Sequence, residues 1–299
     1  MLRSMRFALL FTLLIPACTA SAQTPLHQML AGIAADAKGQ VSVACSLPGV
    51  MLYCNLNPQG HPPMQSVFKL PLAVTVLHEV EQGKLRLDQS IRFLPSDRYP
   101  GTHSPLQDAH PDANIDVPLA DLLQLSVSQS DNVATDILLR ILGGPAAVQR
   151  YLDALSLSAI HVRDSERGMH DSTQRQYRND AEPAAMVALL RRLADRSPLN
   201  PQHTALLNRW MTETTNSPGR IRGLLPPGTA VAHKTGSSGE SHGLAPATND
   251  VGLITLPDSR RLAVAIFVTD SHADEATRDA VIARIAKAIY DDVINRKHP

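Results

Sequence analysis

Cysteine is scarce in this 299-residue chain, with three in all. Cys18 falls in an N-terminal segment that reads as a removable leader, which leaves Cys45 and Cys54. Neither has a neighbouring histidine or basic residue to lower its pKa, so a catalytic thiol is not indicated. Net charge is lacking too: 28 Lys and Arg stand against 28 Asp and Glu. Losing Arg3 and Arg6 with the leader leaves 26 against 28, a charge of −2. No basic stripe exists, which argues against nucleic acid as a partner. Beyond the leader no apolar run reaches the ~18 residues of a membrane-spanning helix. Internal repeats and low-complexity tracts are absent. His78-Glu79 lacks the second histidine of a zinc motif, and no other His/Cys/Asp spacing fits a metal site. The glycine-rich stretch 236–243 follows its lysine, the wrong order for a phosphate loop. No metal or organic cofactor is implied.

What remains is a chain long enough for a sizeable core, with an ordinary apolar fraction of 43%. Its start has the form of a secretory signal: Arg3 and Arg6, an apolar run from Phe7 to Ile15, then Ala20-Ser21-Ala22 as a small-residue cleavage site. The expected mature chain begins at Gln23 and is periplasmic. A competing signal is Ile15-Pro16-Ala17-Cys18, a loose lipoprotein box that would anchor the protein through Cys18. Nothing obliges an oligomer, and a monomer is the default.

Residues 41–45 and 51–56 read as two strands around a turn. A turn centred on Pro48-Gly49 sets Cys45 opposite Leu52, whereas one centred on Gly49-Val50 sets it opposite Cys54 and permits a cross-strand disulfide. Helical patterns follow over 66–82, 118–129, 132–142 and from Pro145 onward. Residues 161–180 are polar and aperiodic, long for a structureless loop, and such loops are usually functional or disordered. Helices resume over 183–195 and 201–214. Strands are expected over 229–237, 250–256 and 261–269, and a closing helix over 274–295. Strands at both ends with helices between imply an α/β (α+β) fold. Its antiparallel sheet is made from both termini and flanked by helices, with an inserted all-α domain. The expected divisions are a signal peptide at 1–22, the first part of the α/β domain at 23–61, the all-α domain at 62–213 and the second part of the α/β domain at 214–299.

Three short strings and one acid carry the chemistry. In Ser66-Val67-Phe68-Lys69 the hydroxyl and the ammonium share one helical face, at the positive end of the dipole. Serine attacks only when a base takes its proton. Alone, this string is more often an N-cap serine with a surface lysine. Ser130-Asp131-Asn132 lies at a helix junction, where it can aim short polar side chains into a cleft; alone, it is an N-cap turn. Lys234-Thr235-Gly236 sits on an otherwise apolar strand. The cation and hydroxyl suit a carboxylate, and Gly236 leaves space for a ligand against the strand; alone, it is a lysine guarding a sheet edge. Glu166 alone is a solvated loop acid.

Together and in this order, the strings resemble the class A serine β-lactamases, over nearly the whole chain after the leader. The resemblance implies the β-lactamase/transpeptidase-like fold and β-lactam hydrolysis through an acyl-enzyme. It implies Ser66 as nucleophile, Lys69 as its partner, Ser130 as proton relay and Asn132 as the amide that contacts substrate. Lys234 and Thr235 would clamp the substrate carboxylate, supported by Arg220. The backbone amides of Ser66 and Ser237 would form the oxyanion hole, with Gly236 beside them. Glu166 would activate the hydrolytic water. The chain departs from the pattern at His170, an imidazole where an amide usually helps hold that water. The ion pair that usually closes the loop is missing, because its positions are Asp164 and Asn179. Gln65, Met169-His170 and Gln176-Tyr177-Arg178-Asn179 are similar to the PER/VEB extended-spectrum subgroup, which opens its cleft to oxyimino-cephalosporins. The carbapenemase-type disulfide is excluded by Gln65 and Ser238, and Thr102-His103-Ser104-Pro105 lacks the usual aromatic gate. The rival readings are a penicillin-binding D,D-peptidase, which generally lacks the loop glutamate, and a slowly deacylating penicillin-binding sensor.

Overall fold

The computed structural model describes residues 24–195 and 198–296; the expected leader at 1–22, with Cys18 and the cleavage site before Gln23, lies outside the described residues. Helix α1 (Pro25–Ala34) has no counterpart among the sequence-based expectations. Its signals are local: Thr24 caps the His27 amide, Pro25 takes the first helical position, and Leu26, Leu30 and Ile33 form the buried stripe. Strand β1 (Gln40–Ser46) follows.

The expected second strand over 51–56 does not form. A tight turn brackets Pro48-Gly49 through a Leu47–Val50 bridge, and beyond it Leu56 pairs back with Val43. Regular pairing from that turn would oppose Cys45 to Leu52. The return segment instead takes up two extra residues in unpaired backbone, which brings Cys54 opposite Cys45. The disulfide forms, with Cα atoms 6.0 Å apart. Both register alternatives assumed an unbroken ladder, and the break combines them.

Helix α2 (Lys69–Glu81) is entered through a 3-10 turn at Gln65–Phe68, so Ser66 precedes the α-helix proper. A small ribbon of β2 (Ser90–Phe93) and, beyond the short helix α3 (Pro105–Ala109), β3 (Ile115–Pro118) leads into α4 (Leu119–Ser128). Asp131 caps α5 (Asn132–Leu142), which ends at Gly143 in the left-handed region; Pro145 opens α6 (Pro145–Ala154). The region 161–180 is not structureless. It is closed at its base by β4 (Ile160–His161) pairing with β5 (Asp180–Ala181), and it holds the single-turn helix α7 (Glu166–His170). Helices α8 (Pro183–Ala194) and α9 (Pro201–Thr212) return the chain to the sheet. There β6 (Val231–Ser237), β7 (Ala245–Thr255) and β8 (Arg261–Ser271) precede the closing helix α10 (Glu275–Asn295).

The main sheet is antiparallel in the order β1-β8-β7-β6. Because side chains alternate across a strand, its two faces build two cores. Leu262, Val264, Ile266 and Val268 of β8 pack with Leu30, Ile285 and Ile289 of the terminal helices. Ala263, Ala265 and Phe267 pack with Phe68, Leu190 and the helical region. Both faces are covered, so β7 and β8 are buried almost throughout, the polar Thr248, Asn249 and Asp250 included; β7 begins at Ala245, five residues before the expected start. No helix among the described residues is long and apolar enough to cross a membrane.

Candidate active site

The turn that carries Ser66 is held against the sheet by the Asn249 side chain and by a close backbone approach at Gly236. Asn249 on β7 donates through Nδ2 to the carbonyls of Pro63 at 2.8 Å and Met64 at 3.1 Å. Its ladder partner is Gly236 on β6. A Cβ at 236 would lie 2.4 Å from the Met64 carbonyl oxygen and 3.1 Å from the Ser66 amide nitrogen. The space a side chain at 236 would take is filled by the backbone that carries Ser66, while Gly236 itself also lines the cleft. The same approach sets the Ser66 amide beside the end of β6, where Ser237 follows.

Behind the turn lie two ammonium groups, both wholly buried. Lys69 Nζ donates to Asn132 Oδ1 at 2.5 Å and to the Ser130 carbonyl at 2.7 Å, and it lies 3.3 Å from Ser130 Oγ. Lys234 Nζ donates to the same Ser130 hydroxyl at 3.0 Å and to the Thr235 carbonyl at 2.9 Å. Burial, and then the charge of Lys69, holds Lys234 well below the usual lysine range. Ser130 bridges the two cations from a left-handed backbone conformation, φ 57°. Asp131, between the two functional positions, is an anchor. Its carboxylate accepts from the Ser104 hydroxyl at 2.8 Å and from the amides of Leu106 at 2.7 Å and Ala134 at 2.8 Å. The amide of Asn132 is engaged on both sides, since Nδ2 donates to Thr102 Oγ1 at 2.9 Å while Oδ1 takes the Lys69 bond.

Glu166 completes the cluster. Its Oε1 lies 3.0 Å from Lys69 Nζ and accepts from Ser66 Oγ at 3.4 Å. The carboxylate is placed by α7, whose first turn is capped twice. Ser165 Oγ accepts from the Gly168 amide at 3.1 Å, and Asp136 on α5 accepts from the amides of Glu166 at 2.8 Å and Arg167 at 2.9 Å. Sequence reasoning missed Asp136, although it stands four residues after Asn132 and so on the same face of α5.

The loop does have a closing ion pair, with partners other than those expected. Buried Asp164 is held by Arg175, whose Nε donates at 2.8 Å, and by Arg178 at 3.3 Å. Asn179 serves the backbone: Oδ1 accepts from the amides of Arg163 at 2.7 Å and Asp164 at 2.9 Å, and Nδ2 donates to the Asp164 carbonyl at 3.0 Å. Gln65 donates to Gln176 at 3.3 Å and ties the loop to the nucleophile turn. His170 stands exposed on the rim, its ring tilted against Tyr99 at a centroid distance of 5.6 Å. Arg220 is buried beneath the end of β6. It is paired with Asp279 at 2.7 Å and donates to the carbonyls of Gly236 at 3.2 Å and Asn249 at 3.0 Å and to Ser237 Oγ at 2.8 Å. It thus meets the expected carboxylate clamp through Ser237.

The cleft has two lobes that share Ser66, Asn132 and Ser237. One, of about 200 Å³, opens toward the loop past Gln65, Glu166, His170 and Gln176. The other, of about 260 Å³, runs past Ser130, Thr235 and Gly236 to His103. At that mouth the missing aromatic gate is replaced by an imidazole, whose Nε2–H donates to the Gln129 carbonyl at 2.9 Å.

The family model of the beta-lactamase enzyme family matches residues 25–293. The chain is 42% identical to the extended-spectrum beta-lactamase PER-1 of Pseudomonas aeruginosa, over 90% of this chain and 88% of that one. It is 37% identical to beta-lactamase VEB-1 of the same organism, over 81% of each. Among solved structures, a beta-lactamase from Chitinophaga pinensis aligns with a TM-score of 0.87 at 40% identity, covering 90% of this chain and all of that one.

Burial pushes Asp136 up to about 7; the Arg167 amide pulls against it and the charge of Glu166 adds to it. The folded chain holds this proton more tightly than the unfolded one, where the ordinary value is 3.8. The resulting stability is full below about 4 and is lost as pH rises through about 7. Asp136→Asn lacks that slope. Denaturant unfolding at about pH 5 and about pH 8 is expected to show wild type losing ground to the variant as pH rises; a constant gap contradicts it.

Proposed function

The chain belongs to the beta-lactamase enzyme family, as a class A serine enzyme, and from that premise we propose how its side chains divide the work of opening a β-lactam ring. Ser66 Oγ attacks the ring carbonyl. Its proton passes toward the Glu166–Lys69 pair, whose carboxylate lies 3.4 Å from Ser66 Oγ. The amides of Ser66 and Ser237 take the oxyanion at the junction of the two lobes. Ser130 gives its proton to the departing ring nitrogen and is recharged by the ammonium groups that point at its oxygen. Lys234, Thr235 and Ser237 receive the substrate carboxylate, with Arg220 stiffening the strand end. Asn132 contacts the substrate amide once its own bond to Thr102 is exchanged, and His170 lines the lobe that takes the acyl side chain. Water activated by Glu166 then hydrolyses the ester.

The observation that carries this division is Glu166, seated against both Ser66 and Lys69. A D,D-peptidase generally lacks such a base, and a slowly deacylating sensor, which would hold its water poorly, is distinguished by a stoichiometric burst in place of steady turnover. Glu166→Ala is expected to acylate but turn over roughly 10²- to 10⁴-fold more slowly, with an adduct on Ser66 visible by intact mass. Unimpaired turnover rules the role out.

We also read the loop as suited to bulky acyl groups. The support is its self-contained Asp164–Arg175–Arg178 closure, the Gln65–Gln176 tie and a relative, PER-1, named as an extended-spectrum enzyme. Steady hydrolysis of an oxyimino-cephalosporin is expected, and its absence removes this reading. For location, we infer a monomer exported to the periplasm with Gln23 as its first residue. N-terminal sequencing of the exported protein checks the cleavage, and a lipid on Cys18 would replace it with an anchored form.

A further inference from the structure

At the base of the Glu166 loop, outside the cleft, three side chains meet that no local spacing connects. His61 lies in the segment leading to the nucleophile turn, His161 on β4 and Asp180 on β5. His161 and Asp180 are cross-strand partners, and Asp180 also bridges to Pro63. Asp180 Oδ1 lies 3.0 Å from His61 Nδ1 and 2.8 Å from His161 Nδ1. The three donor atoms all fall within 4.8 Å of one another. Glu182 Oε1 stands 3.9 Å from the other nitrogen of His61.

We propose that His61, His161 and Asp180 form a binding site for a divalent ion of zinc-like chemistry, which clips the base of the loop to the segment carrying Ser66. Two imidazoles and a carboxylate are ligands zinc accepts, with bonds near 2.0–2.1 Å and neighbouring ligand atoms therefore about 3.3 Å apart. The two carboxylate–imidazole separations, 2.8 and 3.0 Å, need to open by a few tenths of an ångström, and the two imidazole nitrogens already lie within 4.8 Å of each other. Each neutral imidazole would bind through Nδ1 and carry its proton on Nε2. For His61 that proton faces Glu182, the outer carboxylate that metal-bound histidines characteristically use. Asp180 is buried and supplies a fixed anion, whereas the His61 side chain is half exposed, which leaves an entry path and a fourth position for water. The clip would act where the Met64 amide donates to the Asn179 carbonyl at 2.7 Å, one hydrogen bond away from the nucleophile turn.

The test is zinc binding to the purified, tag-free protein, read by native mass spectrometry and calorimetry, with thermal unfolding alongside; no step depends on β-lactam turnover. Wild type is expected to take one ion and to unfold at a higher temperature with zinc. His61→Ala and His161→Ala are each expected to weaken binding about tenfold or more, and His61→Ala, a half-exposed position, to lose the thermal shift. Failure of wild type to bind zinc overturns the proposal, as does equal affinity in a folded His61→Ala, which would put the ion elsewhere.

Discussion

A buried ammonium organises this protein. Lys69 has no exposure, and an unpaired charge there would cost several kcal/mol. It is tolerated because acceptors converge on it from separate parts of the chain: Ser130 and Asn132 from the junction of α4 and α5, and Glu166 from the loop. Each acceptor has its own support. Asp131 binds the junction to Ser104 and Leu106, and Asp136 holds the first turn of α7. The polar cluster around Ser66 is thus also what joins the loop to the helical core.

The second constraint is the close approach of the nucleophile turn to the sheet. Gly236 admits the Met64 carbonyl, Asn249 ties the same segment from the next strand, and Arg220 fastens both strands to α10 through Asp279. The proposed oxyanion hole takes one amide from each side of this seam and needs them at a fixed separation. A packed backbone contact holds such a separation better than mobile side chains could.

The loop is the least conventional element, and its chemistry is consistent. Asp164 would be a buried, uncompensated anion without Arg175 and Arg178, and Asn179 spends its amide on backbone instead of charge. The closure therefore lies inside the loop, and Gln65–Gln176 adds one tie outward. His170 packs with Tyr99 at the rim, so the imidazole contributes shape to the lobe on the loop side of the cleft.

Much of this is legible in the sequence. Ser66, Lys69, Ser130, Asn132, Glu166, Lys234 and Thr235 do meet at one cleft, and the strands of both termini do share one sheet, because local motifs and hydrophobic periodicity are written residue by residue. Helix α5 appears with its expected bounds, since Asp131 and Gly143 are local stop signals. Other features depend on residues far apart in sequence. The Cys45–Cys54 bond turned on a broken ladder, and the purpose of Gly236 on which backbone crosses it. The partners of Asp164 depended on how the loop folds back, and the gathering of His61, His161 and Asp180 on a two-residue ladder. Sequence alone determined which reactive groups the chain owns and in what order, since those are properties of side chains and short spacings. Only the tertiary structure decided which buried charge found which partner, because desolvation makes every such pairing a property of its surroundings.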